Sequence, residues 1–175
     1  YSDPHRRCQP MRRSQVYTLF DRWMGWVLPP RCVLCRRPGQ RPAFDLCSDC
    51  EAEIPVVPDP CHRCGLPRTA SVGPHSSGCE RCCTLYLPYS RCMAPWVYEF
   101  PVTHLVQALK YEGALANARV FGTRLAAQAV SGAYDQSRWP ALVVPMPLHP
   151  TRLVERGFNQ SHEIARVVSR SLDLQ

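Results

Sequence analysis

Eight cysteines between Cys32 and Cys82 fall in four Cys-x-x-Cys hooks: Cys32–Cys35, Cys47–Cys50, Cys61–Cys64 and Cys79–Cys82. Two intervening residues let both thiolates of a hook face one ion, and four thiolates close a tetrahedron around Zn2+. Spacers of 11, 10 and 14 residues separate the hooks. A single hook would equally suit a redox dithiol; four in succession predict two complete structural zinc sites. Two pairings come into question. Successive pairing gives two zinc ribbons in tandem, and cross-bracing puts the first and third hooks on one ion. The outer spacers are shorter than the usual ribbon range, which leaves both open. Gly65, directly after Cys64, is expected in a tight turn that aims backbone N–H groups at sulfur.

His62 and His75 read as loop residues, because the hooks already complete both sites. Cys8, Cys83 and Cys92 are surplus, and no His and Asp arrangement accompanies them that would make a nucleophile, so no catalytic residue is identified. Eleven cysteines could also form a secreted disulfide scaffold. The regular spacing and the lack of a signal-peptide pattern point instead to zinc and a reducing, cytoplasmic compartment. No apolar run approaches the ~20 residues that span a bilayer. A hydrophobic content of 45% suits a folded chain. The formal charge is +7; eight thiolates and two Zn2+ bring it to about +3, so the basic excess is modest.

Around the hooks the chain divides into three parts. Residues 1–30 are a basic leader followed by an amphipathic helix. Val16, Leu19, Phe20, Trp23, Met24 and Val27 share one helical face, Ser14 offers an N-cap, and Pro29-Pro30 stops the helix. That face can pack on the ribbons or lie on a membrane surface. Met11 is a plausible start site. Residues 31–90 are the double zinc ribbon, rich in Pro, Gly and Ser between hooks. Residues 91–175 change character. Ala94–Glu99 is predicted as a short strand, Val102–Tyr111 as a helix burying Leu105, Val106 and Leu109, and Ala116–Val130 as a second helix. Ala141–Val144 is an apolar run that fits a strand buried on both faces. It opens into Pro145–Pro150, predicted as loop, with a helix restarting near Asn159 or Gln160. Strand, loop and helix in that order make one unit of a parallel α/β sheet, in which ligands sit at the carboxyl ends of strands.

The stretch Val143–Leu153 (Val-Val-Pro-Met-Pro-Leu-His-Pro-Thr-Arg-Leu), followed by Glu155–Gln160 (Glu-Arg-Gly-Phe-Asn-Gln), resembles the signature of the ComF family. So do Leu109-Lys110-Tyr111 and the hook array, including Cys61–Pro67. The resemblance runs from about Val16 onward. It implies a fold with an N-terminal double zinc ribbon followed by the first part of a type I phosphoribosyltransferase-like parallel-sheet domain. It also implies a role in competence and the use of external DNA. In that family a donor motif of two adjacent acids and a Thr-Thr-Gly-type loop binds phosphoribosyl diphosphate, with Mg2+. No Asp-Asp or Glu-Asp pair occurs here, so the domain is expected to be incomplete in this chain and catalytically deficient as it stands.

By the same resemblance, the signature loop would hold a diphosphate. Arg152 and Arg156 would supply bidentate donors, Gly157 close backbone approach, and Asn159 and Gln160 neutral donors at a helix start. His149 could orient a phosphate or cap the strand. The bland alternative pairs Arg152 and Arg156 with Glu155 and Glu163, makes Asn159 a helix N-cap and leaves Lys110 solvated. Two functions compete. One is a phosphoribosyltransferase-like zinc protein whose ribbons scaffold the domain. The other is a non-enzymatic module whose ribbon arginines and aromatic residues contact single-stranded DNA or a protein of the uptake machinery.

Overall fold

The computed structural model describes residues 30–40, 44–68, 79–133 and 140–174. The leader and helix expected over residues 1–29 lie outside these, as do Cys8, Arg41 and His75.

The first hook of each ribbon folds as a knuckle. Cys32 N–H donates to the Arg37 carbonyl (2.8 Å) and Arg36 N–H returns to the Cys32 carbonyl (2.9 Å). In the second ribbon Cys61 N–H donates to Leu66 and Gly65 N–H to Cys61, both at 2.8 Å. Single antiparallel bridges, Arg31–Pro38 and Pro60–Pro67, close the two knuckles identically. The turn needs a left-handed residue. Gly65 supplies it at φ +75°, whereas Arg36 adopts φ +64° in the matching place. The Gly65 N–H closes the turn on the Cys61 carbonyl, and the N–H groups of Arg63 and Cys64 within the same turn face the Cys61 sulfur, as expected of it. Each second hook opens a short helix: Cys47 precedes α1 (Ser48–Glu53) and Cys79 precedes α2 (Glu80–Thr84), both cysteines with extended backbone. The ribbons are thus two copies of one unit, knuckle then helical turn.

Beyond Arg91 the chain is helical. Helix α3 spans Val102–Tyr111 as the periodicity predicts, burying Val102, Leu105, Ala108 and Leu109. Gly113 at φ +67° reverses the chain. Helix α4 (Leu115–Gln128) follows and widens into a π-helical turn at Ala129–Ala133. Buried Asn117 donates to the Leu105 carbonyl at 2.9 Å, fixing α4 on α3. Helix α5 (Pro150–Arg156) and helix α6 (Gln160–Leu172) complete the lobe. Helices α4 and α6 cross closely at Gly122, where a Cβ would stand 2.5 Å from Val167 Cβ. Among the buried side chains Leu46, Leu105, Val120 and Cys32 belong to one core. At about 1.5–3 kcal/mol for each fully buried aliphatic, that core is the main attraction between the first ribbon and the helices.

Three expectations are corrected. Ala94–Glu99 is not a strand. Its Val97 N–H reaches the Pro55 carbonyl at 2.8 Å, and Glu99 N–H turns back onto Val97, so the segment ties to the first ribbon and bends. Ala141–Val144 is irregular and pairs with no strand among the described residues, and Leu142 (62% exposed) and Val144 (81%) face solvent where both faces were expected buried. Among the described residues the β pairing amounts to isolated bridges, so they form no parallel sheet. Finally, Pro150 is not loop but the first residue of α5. Proline suits that position because the first helical N–H has no intrahelical partner, and Gly157 at φ +75° ends the helix.

Candidate metal centres and the signature loop

The hooks pair successively. The sulfurs of Cys32, Cys35, Cys47 and Cys50 all lie within 4.8 Å of one another, as do those of Cys61, Cys64, Cys79 and Cys82. The cross-braced alternative is excluded by this grouping. Thiolates at 2.3 Å around a tetrahedral ion stand about 3.8 Å apart. The sulfur separations observed are 3.6 Å (Cys35–Cys47), 3.9 Å (Cys61–Cys82), and 3.6 Å for both Cys64–Cys79 and Cys79–Cys82. These are ligand distances, well beyond the ~2.05 Å of a disulfide. Two four-cysteine clusters of this size fit two structural zinc ions. Among the described residues these are the two groups of three or more His, Cys, Asp or Glu that gather closely enough to hold a metal.

The electrostatics favour thiolate. The Arg37 backbone N–H, with its guanidinium adding to the effect, lowers the Cys35 thiol to about 6. Burial pushes Cys61 up, but the N–H groups of Cys64, Arg63 and Cys79 outweigh it and bring that thiol down to about 6. The Cys79 N–H donates to Cys61 Sγ at 3.3 Å. Burial and the neighbouring sulfurs push the Cys50 thiol up, and the same causes raise Cys82 to about 12. Each cluster therefore sets sulfurs whose thiolate is favoured, Cys32 and Cys35 in the first and Cys61 in the second, beside sulfurs whose thiol is favoured, Cys50 in the first and Cys64 and Cys82 in the second.

The ribbons differ in what surrounds them. The first belongs to the core with Trp96, Val120 and Phe121, and Trp96 meets Phe121 edge-on at 5.9 Å. Asp45, 5% exposed, accepts from Arg119 Nε of α4 at 2.7 Å, and Glu51 of α1 lies 3.7 Å from Arg124. The second ribbon has a small core of its own, Cys61, Cys79 and Cys82 with Cys64 and Leu87 alongside. His62, Cys83 and Cys92 are exposed and stand outside both clusters. Sequence reasoning missed the Asp45–Arg119 pair. With the partners 74 positions apart in the chain, no local signal marks it.

In the signature loop, Arg152 approaches Glu155 only at 4.0 Å, with both side chains more than half exposed. Arg156 does not pair with Glu163, which Arg166 occupies at 2.8 Å. Its guanidinium instead lies over the Tyr111 ring (5.3 Å) and donates to Gln160 Oε1 at 3.2 Å. Gly157 caps α5, with nothing within 4 Å of where its Cβ would be. Asn159 is the N-cap of α6: its Oδ1 accepts from Ser161 N–H (2.9 Å) while its Nδ2 donates to the Met146 carbonyl (3.0 Å), tying the extended segment to the helix. His149 caps α5 through Nδ1, which accepts from Thr151 N–H at 3.3 Å. Lys110, Gln160 and Ser161 line one cleft of about 450 Å3 with Trp96, Phe121 and Ile164. The two signature stretches, Leu109–Tyr111 and Arg156–Gln160, are thus neighbours in space.

Comparison with known proteins agrees with this geometry. A family model described as a double zinc ribbon domain matches residues 23–83. DNA utilization protein YhgH of Escherichia coli K12 is 30% identical over 150 residues, covering 85% of this chain and 64% of the relative. The protein of the same name from Salmonella typhi is 32% identical over 137 residues, 77% of this chain and 58% of its own length. Competence protein F of Haemophilus influenzae is 27% identical over 146 residues, 82% and 61% respectively. The chain spans a little under two thirds of the curated relatives it matches. No solved structure matches. With its tandem four-cysteine ribbons and this likeness along most of its length, the chain is similar to the ComF-like proteins that the DNA utilization protein YhgH and competence protein F represent.

Proposed function

We propose that this chain is a two-zinc ribbon scaffold that serves the uptake or use of external DNA, without catalysing a reaction by itself. The observation that carries this reading is the pair of four-cysteine clusters, the first of them built into the core of the helical lobe. Cys32, Cys35, Cys47 and Cys50 hold one Zn2+; Cys61, Cys64, Cys79 and Cys82 hold the other. The names of the relatives supply the link to DNA. Exposed Arg31, Arg36 and Arg81, with Tyr86 (92% exposed) and Tyr89 (44%) just after α2, offer cations and stacking faces to single-stranded DNA. Elemental analysis of purified protein should give two Zn2+ per chain. Binding to an oligothymidylate should weaken steeply with salt, and Tyr86→Ala should weaken it by roughly 1–3 kcal/mol. Absence of zinc would end the scaffold reading, and salt-insensitive or undetectable DNA binding would end the direct-contact part of it.

A second reading concerns the helical lobe as the first part of a phosphoribosyltransferase-like domain, with Arg152, Arg156, Gly157, Asn159 and Gln160 as a diphosphate loop. It is favoured by one observation: Lys110 and Gln160 share a cleft beside the stacked Arg156. Inorganic diphosphate should then bind and Arg156→Ala should abolish the binding. Undiminished binding by that variant would assign the loop to packing alone.

A further inference from the structure

We infer that the two metal sites are inequivalent: the ion of the first ribbon is part of the folding core, whereas the ion of the second exchanges while the helical lobe stays folded. The inference rests on the two-zinc reading. Cys32, Cys47 and Cys50 pack in the same buried cluster as Leu105, Val120 and Phe121. Helix α4 grips both segments that bring in the second hook. Arg119 holds Asp45, two residues before Cys47, and Arg124 approaches Glu51, which also accepts from Gln40 at 2.7 Å. Opening the first site means breaking the Asp45–Arg119 pair, whose carboxylate is buried though its guanidinium is half exposed, and exposing the core of α3 and α4.

Among the described residues the second site shares no buried cluster with the helices. Its buried core consists of its own sulfurs with Cys64 and Leu87 beside them, and its ion pair, Arg68–Asp59 at 3.2 Å, stays within the ribbon. Where it faces the end of α4 and the π-helical turn, a cleft of about 190 Å3 intervenes, lined by Cys61, His62, Cys92, Gln128 and Ser131. Removing its ion uncovers little apolar surface, so the lobe loses little.

Ligand exchange at zinc also needs an entering donor. Exposed Cys83 directly follows Cys82, and the Cys92 sulfur stands 3.3 Å from where a Cβ on Gly65 would lie, next to Cys64. Among the described residues both surplus thiols flank the second ribbon. Were either to take up a bound ion, one ligand–zinc bond would break as the new one formed, and the displaced thiolate would accept the proton released by the entering thiol. The second ribbon can thus give up and regain its metal with supply, while the first keeps its ion.

The test uses the zinc-loaded full chain and an excess of the metallochromic chelator 4-(2-pyridylazo)resorcinol. Release should occur in two phases of one ion per chain each, with rates at least about tenfold apart. Helicity and amide protection of α4 should survive the fast phase and fall with the slow one. Cys61→Ser/Cys64→Ser should leave one ion, the slow phase and the helicity; Cys83→Ser/Cys92→Ser should keep two ions and slow the fast phase. Release of both ions in a single phase, or loss of α4 protection during the fast phase, would overturn the inference with the two-zinc reading intact. Protein that carries no zinc at all would overturn that reading instead. Wild-type release and exchange are sufficient for the decision, so no first-site variant has to fold.

Discussion

The close crossing of α4 and α6 makes a sharp prediction at Gly122. A Cβ there would meet Val167 Cβ at 2.5 Å, Val167 Cγ1 at 2.8 Å and the Ile164 carbonyl oxygen at 3.0 Å. Ordinary contact begins near 3.4 Å, so α6 must shift by most of an ångström. Overpacking of this kind costs about 1–3 kcal/mol. Alanine regains about 1 kcal/mol of helix propensity over glycine. With contacts this short the cost lies toward the upper end, so the net expectation for Gly122→Ala is a loss of up to about 2 kcal/mol, or up to roughly 8 °C in Tm for a chain of this size. The assay is thermal unfolding of zinc-saturated protein followed by circular dichroism. The sign is decisive, since at a helix site without the close approach the same change would raise Tm. Val167→Gly removes both opposing carbons, so the Gly122→Ala/Val167→Gly double variant should be at least about 1 kcal/mol more stable than the two single effects summed. A more stable Gly122→Ala protein, or strict additivity in the cycle, would refute the packing argument. The position matters for the site as well, because α6 carries Asn159 and its tether to Met146.

The two knuckles predict opposite responses to glycine. Arg36→Gly should stabilise by up to about 1 kcal/mol, because φ +64° is costly for a residue with a Cβ; Gly65→Ala should destabilise by about 1–2 kcal/mol, since its Cβ would be strained at φ +75° and pressed on Cys92. Chemical denaturation of the zinc-loaded protein measures both, and equal responses would contradict the shared turn. Protons compete with metal for sulfur. Cys35 and Cys61 are lowered from 9.0 to about 6. A depressed value contributes stability that is present above the unfolded value and lost as pH falls through the folded one. Zinc should therefore be retained at pH 7 and released as the pH drops below about 6, read by dialysis and elemental analysis. Release already complete at pH 7 would show that the thiolates are not stabilised as described.

Much of the zinc chemistry was legible because ligand spacing is a local property. Cys-x-x-Cys brings two sulfurs together whatever the rest of the chain does, and four hooks named all eight members of the clusters. Helix α3 was legible to the residue, since Leu105 and Leu109 repeat on one face and Gly113 ends it. Helix α5 could have been found from Pro150 and Gly157, a first-turn proline and a left-handed cap seven residues later, had the prolines not suggested a loop.

The amino-acid sequence by itself determined the sulfur pairs within each hook, the helical repeat of the lobe and the signature stretches that mark the family. Only the tertiary structure decided which hooks share a cluster, because spacers of this length permit either pairing and the fold chooses by closing each knuckle on the helix that follows it. It also decided that the first ribbon and the helices share one core. The joining contacts, Asp45 with Arg119 and the first-hook sulfurs with Val120 and Phe121, lie far apart in the chain. An apolar run likewise says only that burial is available: Ala141–Val144 has strand chemistry, but a strand exists through its neighbours, and none of the described residues pairs with it.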